Sequence, residues 1–254
     1  MNYVMTDLHG EYGLFKEMLD KISFSDKDTL YILGDCCDRG ENSAEIYLDL
    51  MNRKNVFAIR GNHEEMALEG LEYILENEMF PARYCSDFGI RLWFENGGDA
   101  TVNSLYNVSK QKDGEEGAFG NSKTSFSPEK IRAIYDYISS MPYYMTAKVG
   151  EREFLMVHAG LPDFDENKPM DDYSVRDLVW QRPNFNAKLF SQEHKYLLVG
   201  HTPTFTLTRS GTKASIYRGK GDIIGLDCGA TYSDYGGRLA CLCLETMEVV
   251  YVSK

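Results

Sequence analysis

The chain has 254 residues, of which 43% are hydrophobic, and this is enough to bury one sizeable core. Its 17 tyrosines and 13 phenylalanines exclude a disordered composition. A net charge of −12 argues against stable nucleic-acid binding, which depends on lysine and arginine neutralising phosphates. The same charge is compatible with a phosphate substrate, because local charge and bound metals decide that interaction.

Membrane insertion and secretion are not expected. No apolar run approaches the roughly 20 residues needed to span a bilayer, and the first residues do not resemble a secretory signal. The six cysteines contain no Cys-x-x-Cys pair, so we expect reduced thiols in a cytoplasmic protein. The oligomeric state is left open.

Strand and helix patterns alternate along the first part of the chain. Apolar runs predict strands at residues 3–6, 29–33 and 56–59. Helical spacing predicts helices at residues 12–22 and 43–52, and a third helix that begins near residue 64. This alternation is typical of α/β layering.

Residues 80–127 interrupt that alternation. They contain Gly97-Gly98, a charged run at residues 110–116 and several Ser and Asn residues. We expect an insertion that covers one end of a sheet, part helix and part mobile loop. Trp93 and Phe94 in this segment either pack into the core or stack on a nucleobase.

The remainder of the chain is mostly strand. A helix is predicted at residues 128–140, followed by strands at 154–157, 196–199, 223–226, 239–244 and 249–252. We predict one domain over residues 1–254, an α/β sandwich of two mixed sheets flanked by helices.

Metal-ligand residue types follow five of the predicted strands. These blocks are Asp7-Leu8-His9-Gly10, Gly34-Asp35-Cys36-Cys37-Asp38-Arg39-Gly40, Arg60-Gly61-Asn62-His63-Glu64, His158-Ala159-Gly160 and Gly200-His201-Thr202. Ligands bind at the carboxyl ends of strands in open α/β sheets, so the five blocks can converge on one site. Carboxylate, imidazole and amide groups suit Mn²⁺, Fe or Zn²⁺ without a thiolate. Each residue alone also has an ordinary structural explanation, such as a helix cap or a surface ion pair.

Together these blocks resemble the phosphoprotein phosphatase family of metallophosphoesterases, with its calcineurin-like sandwich. The matching motifs are D-x-H-G, G-D-x-x-D-R-G, R-G-N-H-E, H-A-G and G-H-T, in that order. Trp180-Gln181-Arg182-Pro183 and Leu226-Asp227-Cys228-Gly229 resemble further blocks. The similarity is greatest to bacterial Ser/Thr phosphatases and symmetrical diadenosine tetraphosphatases.

The resemblance implies a site with two divalent metal ions, Mn²⁺ above Fe or Zn²⁺. Asp35 would bridge both ions. The other metal ligands would be Asp7 and His9 at the first ion, and Asn62, His158 and His201 at the second. Many related enzymes carry a second His where this chain has Pro203, so water should complete the first site.

The resemblance also implies how the reaction is catalysed. His63, paired with Asp38, would protonate the leaving oxygen, and a histidine oriented by a carboxylate is a suitable donor. Three arginines would hold the phosphoryl oxygens, a task that suits guanidinium groups: Arg39, Arg60 and Arg182.

Phosphomonoester hydrolysis on phosphoserine or phosphothreonine in proteins is the expected function, with a small phosphorylated molecule as another substrate. Symmetrical hydrolysis of dinucleoside tetraphosphates is the alternative. The run at residues 110–116 has three acids against two lysines and would repel a long polyanion if it faced the cleft. A third hypothesis is a catalytically silent phospho-ligand binding module, although the chain keeps Asp35, Asp38 and His63.

Overall fold

The structure, a computed structural model, describes residues 1–81, 85–110, 127–208 and 213–254. The described strands are β1 (Asn2–Met5), β2 (Thr29–Ile32), β3 (Val56–Ala58), β4 (Tyr144–Val149), β5 (Arg152–Val157), β6 (Lys195–Val199), β7 (Tyr217–Arg218), β8 (Ile223–Gly225), β9 (Leu239–Cys243) and β10 (Val249–Val252). The described α-helices are α1 (Tyr12–Lys21), α2 (Ser43–Met51), α3 (Asn62–Asn77), α4 (Phe88–Glu95), α5 (Gly98–Ser109), α6 (Pro128–Ser140) and α7 (Val175–Val179).

Two mixed sheets form the centre of the fold, as the sequence predicts. The first has the strand order β10-β9-β1-β2-β3, in which β1, β2 and β3 are parallel and β9 and β10 are antiparallel. The second has the order β4-β5-β6-β8-β7, in which β5, β6 and β8 are parallel and the edge strands β4 and β7 are antiparallel. Each sheet therefore presents the carboxyl ends of three parallel strands at one edge.

The alternation of side chains along the strands separates two cores. Val4 packs with Leu33 and with Phe154 and Leu198 of the second sheet, which places it between the sheets. Its neighbour Met5 points the other way, into a larger cluster formed with the helices. All five side chains are at most 1% exposed. The sheets are thus held together by apolar burial on one face and covered by helices on the other.

The segment predicted as an insertion forms helices α4 and α5 within its described part. Helix α4 packs against α3, and α5 packs against α2 and α6. Residues 111–126, which include all of the charged run after Lys110, lie outside the described residues. The mobile loop and the charge argument built on that run therefore stay predictions.

Strand β4 was not predicted from the sequence. Its residues are half-buried or exposed because it is an edge strand, so it has no apolar run to mark it. Helix α6 matches the predicted residues 128–140, and the other predicted elements agree to within about two residues at each end. Across the described ranges no helix is long and apolar enough to cross a bilayer. All six cysteines are free thiols.

Candidate metal centre

The five motif blocks follow the strands whose carboxyl ends meet at one edge. Asp7 and His9 follow β1, and Asp35 follows β2. Asn62 is the first residue of α3, directly after β3. The remaining two candidates, His158 and His201, follow β5 and β6 in the second sheet. The site therefore lies where the two sheets meet.

The backbone around these residues adopts the left-handed region, which is unusual for residues other than glycine. Six non-glycine residues of the blocks have positive φ: Asp7 (51°), His9 (43°), Asp35 (54°), Asp38 (70°), Arg39 (69°) and His201 (62°). Such conformations cost of order 1–3 kcal/mol each and persist only where the surroundings enforce them. Because these residues cluster in the motif loops, the strained backbone there is expected to serve the placement of their side chains.

Asp35 is the centre of the cluster. Its Oδ2 lies 3.3 Å from His158 Nε2, 3.8 Å from His9 Nε2 and 3.8 Å from His63 Nε2. Ligand-type atoms form two groups of three that share Asp35, one with His9 and His63 and one with His158 and His201. A shared carboxylate between two groups is the arrangement that a bridging ligand requires.

The orientation of His158 indicates what its free nitrogen binds. Its Nδ1 lies 2.7 Å from the carbonyl oxygen of Leu33, which only accepts, so Nδ1 carries the hydrogen. Its Nε2 then faces two acceptors, Asn62 Oδ1 at 3.0 Å and Asp35 Oδ2 at 3.3 Å. Burial opposes a charge on this ring, but Asp35 outweighs it and raises the pKa of His158 to about 10. Nε2 and the two oxygens therefore need positive charge between them, either a proton on Nε2 or, once that proton is released, a metal ion.

His201 completes this second group. Its Nδ1 lies 2.9 Å from Asn62 Oδ1. Burial, together with the positive charge of His158, lowers the pKa of His201 to about 3, so this imidazole is neutral and has a lone pair for a metal. Arg182 acts on His201 in the same direction, which places the exposed Arg182 near this side of the site.

Asp7 lies beside His9 of the first group, although it is not one of that group's three residues. His9 Nδ1 lies 2.8 Å from the Cys37 carbonyl oxygen, which leaves its Nε2 directed towards Asp7 Oδ1 at 3.8 Å. The other oxygen of Asp7 accepts from the Thr6 hydroxyl at 2.5 Å and from the His201 backbone N–H at 3.1 Å. Burial, and then the charge of Asp227, raises the pKa of Asp7 well above its usual value.

The predicted acid pair is in contact. His63 Nδ1 lies 2.6 Å from Asp38 Oδ2, and both side chains are buried. Burial acts to lower the pKa of His63, but Asp35 and Asp38 outweigh it and raise that pKa. The opposite nitrogen, Nε2, accepts from Arg39 at 3.0 Å, and a second nitrogen of the same guanidinium lies 2.6 Å from His9 Nε2. The Arg39 guanidinium thus lies between His9, a predicted metal ligand, and His63, the predicted proton donor.

Arg60, for which the resemblance implies contact with phosphoryl oxygens, is hydrogen-bonded to other protein groups. It donates to the Glu65 carboxylate at 2.8 Å, the Tyr143 hydroxyl at 3.0 Å and the Ser139 carbonyl oxygen at 2.7 Å. Among the described residues we find no hydrogen bond from Arg60 to a candidate metal ligand. A contact between Arg60 and phosphate stays a prediction that would require these bonds to rearrange.

Asp227 lies at the site, although no role was predicted for it from its motif block. It is 4% exposed, and burial raises its pKa to about 6 against the opposing effect of a hydrogen bond from the Gly229 N–H. Its charge acts on Asp7, and Arg39 acts on it. The signal was present, because a carboxylate follows the apolar strand β8 just as in the other blocks.

Glu64 holds two of the loops together. Its carboxylate accepts the backbone N–H groups of Asp35 at 2.8 Å, Cys36 at 2.7 Å and Gly61 at 2.8 Å, and the Tyr47 hydroxyl at 2.8 Å. It is fully buried. The last residue of the R-G-N-H-E block therefore positions the ligands instead of binding metal itself.

The donor set as a whole fits divalent cations. Four buried carboxylates surround the site, those of Asp7, Asp35, Asp38 and Asp227. Burial and the charges of neighbouring carboxylates raise the pKa of Asp7 and of Asp227 although the charge of His158 acts to lower both, which indicates an excess of negative charge. Burying such an excess is costly unless cations compensate it. Cys36 and Cys37 are buried, and burial raises the pKa of both thiols well above the usual value, which disfavours thiolate ligands.

A groove of about 720 Å³ lies beside the cluster. Its lining includes Glu65 and Glu69 of α3, Phe88 of α4, and Arg176 and Trp180. Phe88 is 72% exposed and Trp180 is 38% exposed. The Trp180 ring lies 6.2 Å from the His201 ring, so the groove adjoins the second group of ligands.

Comparisons with known proteins match most of the chain to one family. Residues 3–234 match the model of the calcineurin-like phosphoesterase family. The serine/threonine-protein phosphatase 2 of Salmonella typhimurium is 26% identical over 216 residues, which are 80% of this chain and 82% of that protein. The symmetrical bis(5'-nucleosyl)-tetraphosphatase of Wigglesworthia glossinidia brevipalpis is 42% identical over 65 residues, only 25% of this chain and 24% of that one.

Solved structures share the fold. One, provisionally assigned as a diadenosine tetraphosphatase, has a TM-score of 0.60 and 16% identity and covers 99% of this chain and 92% of its own. A protein serine/threonine phosphatase from Saccharomyces cerevisiae has a TM-score of 0.52 and 16% identity, covering 100% of this chain and 79% of its own. With the matched family model spanning most of its length, the chain belongs to the calcineurin-like phosphoesterase family and is a hydrolase of phosphoric esters.

Proposed function

We propose that the protein is a dinuclear-metal phosphatase for phosphomonoesters, with phosphoserine and phosphothreonine side chains of proteins as its substrates. The observation that carries the proposal is the pair of ligand groups that share Asp35. Two bound divalent cations, for which we propose Mn²⁺ above Fe or Zn²⁺, would neutralise phosphoryl charge and lower the pKa of a water molecule. Six free thiols support a cytoplasmic location.

The chain's own side chains would supply the remaining steps. His63, with Nδ1 held by Asp38, would donate a proton from Nε2 to the leaving alkoxide, which is a poor leaving group without it. Arg39 would turn its fork from the histidines to the phosphoryl oxygens, and Arg182 would approach from the side of His201. An intact acid pair is not expected of a catalytically silent binding module.

The groove supports a peptide substrate more than a long polyanion. Its lining has two carboxylates, Glu65 and Glu69, and the guanidinium of Arg176, and Arg60 already pairs with Glu65 at 2.8 Å. A tetraphosphate chain entering it would find no excess of positive charge to bind it, whereas a peptide could lay apolar side chains on Phe88 and Trp180. Those aromatic faces are equally suited to stacking on a nucleobase, which makes symmetrical dinucleoside tetraphosphate hydrolysis the second candidate.

Competition between the two substrates tests the proposal. One metal-loaded preparation would receive a phosphothreonine peptide and diadenosine tetraphosphate at fixed Mn²⁺. We expect kcat/KM for the peptide to be at least about tenfold higher, equivalent to roughly 1.4 kcal/mol of transition-state discrimination. Preference for the dinucleotide would refute the protein-phosphatase assignment and leave the two-metal site standing.

A further inference from the structure

We propose that Trp93 and Thr101, on helices α4 and α5, are positioning residues that hold Asp38 in the orientation in which it aligns His63. The inference rests on the proposed role of His63 as proton donor. It gives the segment predicted as an insertion a function in the reaction, instead of only covering one end of a sheet or stacking on a nucleobase.

The hydrogen bonds around Asp38 carry the argument. Its carboxylate is fully buried, and Oδ1 accepts from Trp93 Nε1 at 2.9 Å and from the Thr101 hydroxyl at 2.6 Å. The Thr101 oxygen in turn accepts the Asp38 backbone N–H at 2.9 Å. Because two donors occupy Oδ1, the carboxylate presents Oδ2 to His63 Nδ1, 2.6 Å away. That contact sets the tautomer in which Nε2 faces the reacting centre.

The indole of Trp93 is held rigidly. It is fully buried, and a Cβ on either Gly70 of α3 or Gly98 of α5 would overlap it. The ring thus occupies a slot between two helix backbones that only glycine leaves open. Packing of this kind restricts the indole to one rotamer, so its N–H points constantly at Asp38.

The turn between the two helices also supports the loop of Asp38. Gly97 has a φ of 99°, and its carbonyl oxygen accepts the backbone N–H of Arg39 at 3.1 Å. Asp38 and Arg39 both have positive φ, 70° and 69°, a strained arrangement that neighbouring structure must maintain. Helices α4 and α5 therefore support both the backbone and the side chain of this loop.

Thr101→Val removes its donor with little change of shape, whereas Trp93→Phe removes the indole N–H and also leaves a cavity. We expect each to lower kcat for a phosphothreonine peptide about tenfold, with a smaller effect on p-nitrophenyl phosphate, whose leaving group needs little protonation. Metal content by elemental analysis should not change. Thr101→Ser, which keeps the hydroxyl, should restore kcat. Ser104→Ala is the matched control, because Ser104 lies one turn further along α5 and bonds Ala44 and Glu45 instead.

A double-mutant cycle separates positioning from a merely structural role. In a His63→Asn background, Thr101→Val and Trp93→Phe should cause no further loss of kcat, since they act through His63. The same factor of loss in both backgrounds would overturn this inference and leave the acid role of His63 intact. Unchanged kcat for His63→Asn on the peptide would overturn the acid role, and this inference with it.

Discussion

The backbone N–H of His201 donates to Oδ2 of Asp7 at 3.1 Å, which joins the last motif block of the second sheet to the first block of the first sheet. Gly200 makes this approach possible, because a Cβ there would overlap Asp7 Oδ2 and the Thr6 hydroxyl. This hydrogen bond therefore fixes the position of one sheet relative to the other where the predicted metal ligands meet.

Gly200→Ala should displace Asp7 and His201 from each other. We expect loss of bound metal and a fall in kcat/KM on p-nitrophenyl phosphate of about 10²-fold, the typical consequence of moving catalytic groups by about 1 Å. Elemental analysis and steady-state kinetics would measure both. Gly13→Ala is the control, since a Cβ on Gly13 of α1 meets nothing within 4 Å. Full metal occupancy and activity in Gly200→Ala would contradict the close approach.

Metal removal should abolish activity on p-nitrophenyl phosphate, and Mn²⁺ should restore it. The physical reason is the excess of buried carboxylates around Asp35, which needs cations to compensate it. Asp35→Asn should lose metal and activity together, because a neutral amide is a poor bridge between two cations. Full turnover by a metal-stripped sample would contradict the two-metal assignment.

His63→Asn should keep both metals and lose about 10²–10⁴-fold in kcat on substrates with poor leaving groups. The loss should be smaller for p-nitrophenyl phosphate, because p-nitrophenolate leaves without much protonation. By distance His63 also belongs to a ligand-type group with His9 and Asp35, so the metal content of the variant is informative. If the variant lost metal, His63 would be a ligand instead of an acid.

Glu64→Ala should destabilise the protein by about 3–5 kcal/mol, because three buried backbone N–H groups would lose their acceptor. Chemical denaturation of the metal-free protein would measure the free energy of unfolding. Glu76→Ala, an exposed position on the same helix, should change it by less than about 0.5 kcal/mol. Equal stability of the two variants would show that Glu64 does not hold the loops.

Phe88→Ala should raise KM for a phosphothreonine peptide by about tenfold, equal to roughly 1.4 kcal/mol of lost apolar contact. Activity on p-nitrophenyl phosphate, which is too small to reach the groove, should not change. Phe57→Ala is a suitable control because Phe57 is also exposed but lies on β3, outside the groove. An unaltered KM for the peptide would remove the groove from substrate recognition.

Local sequence patterns were enough to predict the architecture and the positions of the ligand candidates. Apolar runs and helical spacing are local patterns, so most strands and helices could be located without knowledge of their partners. Parallel strands bring their carboxyl ends to one edge, and this rule alone predicted that Asp7, Asp35 and His158 would converge. It extends to Asp227, which follows β8 in the same way.

The contacts of the polar side chains, by contrast, depend on how segments distant in sequence pack together. Arg60 stands in a motif block, yet its guanidinium bonds Glu65, Ser139 and Tyr143, as set by how α3 packs against α6. Trp93 and Thr101 reach Asp38 from 55 and 63 residues away along the chain. The direction of a side chain depends on packing partners distant in sequence, and no local period encodes it.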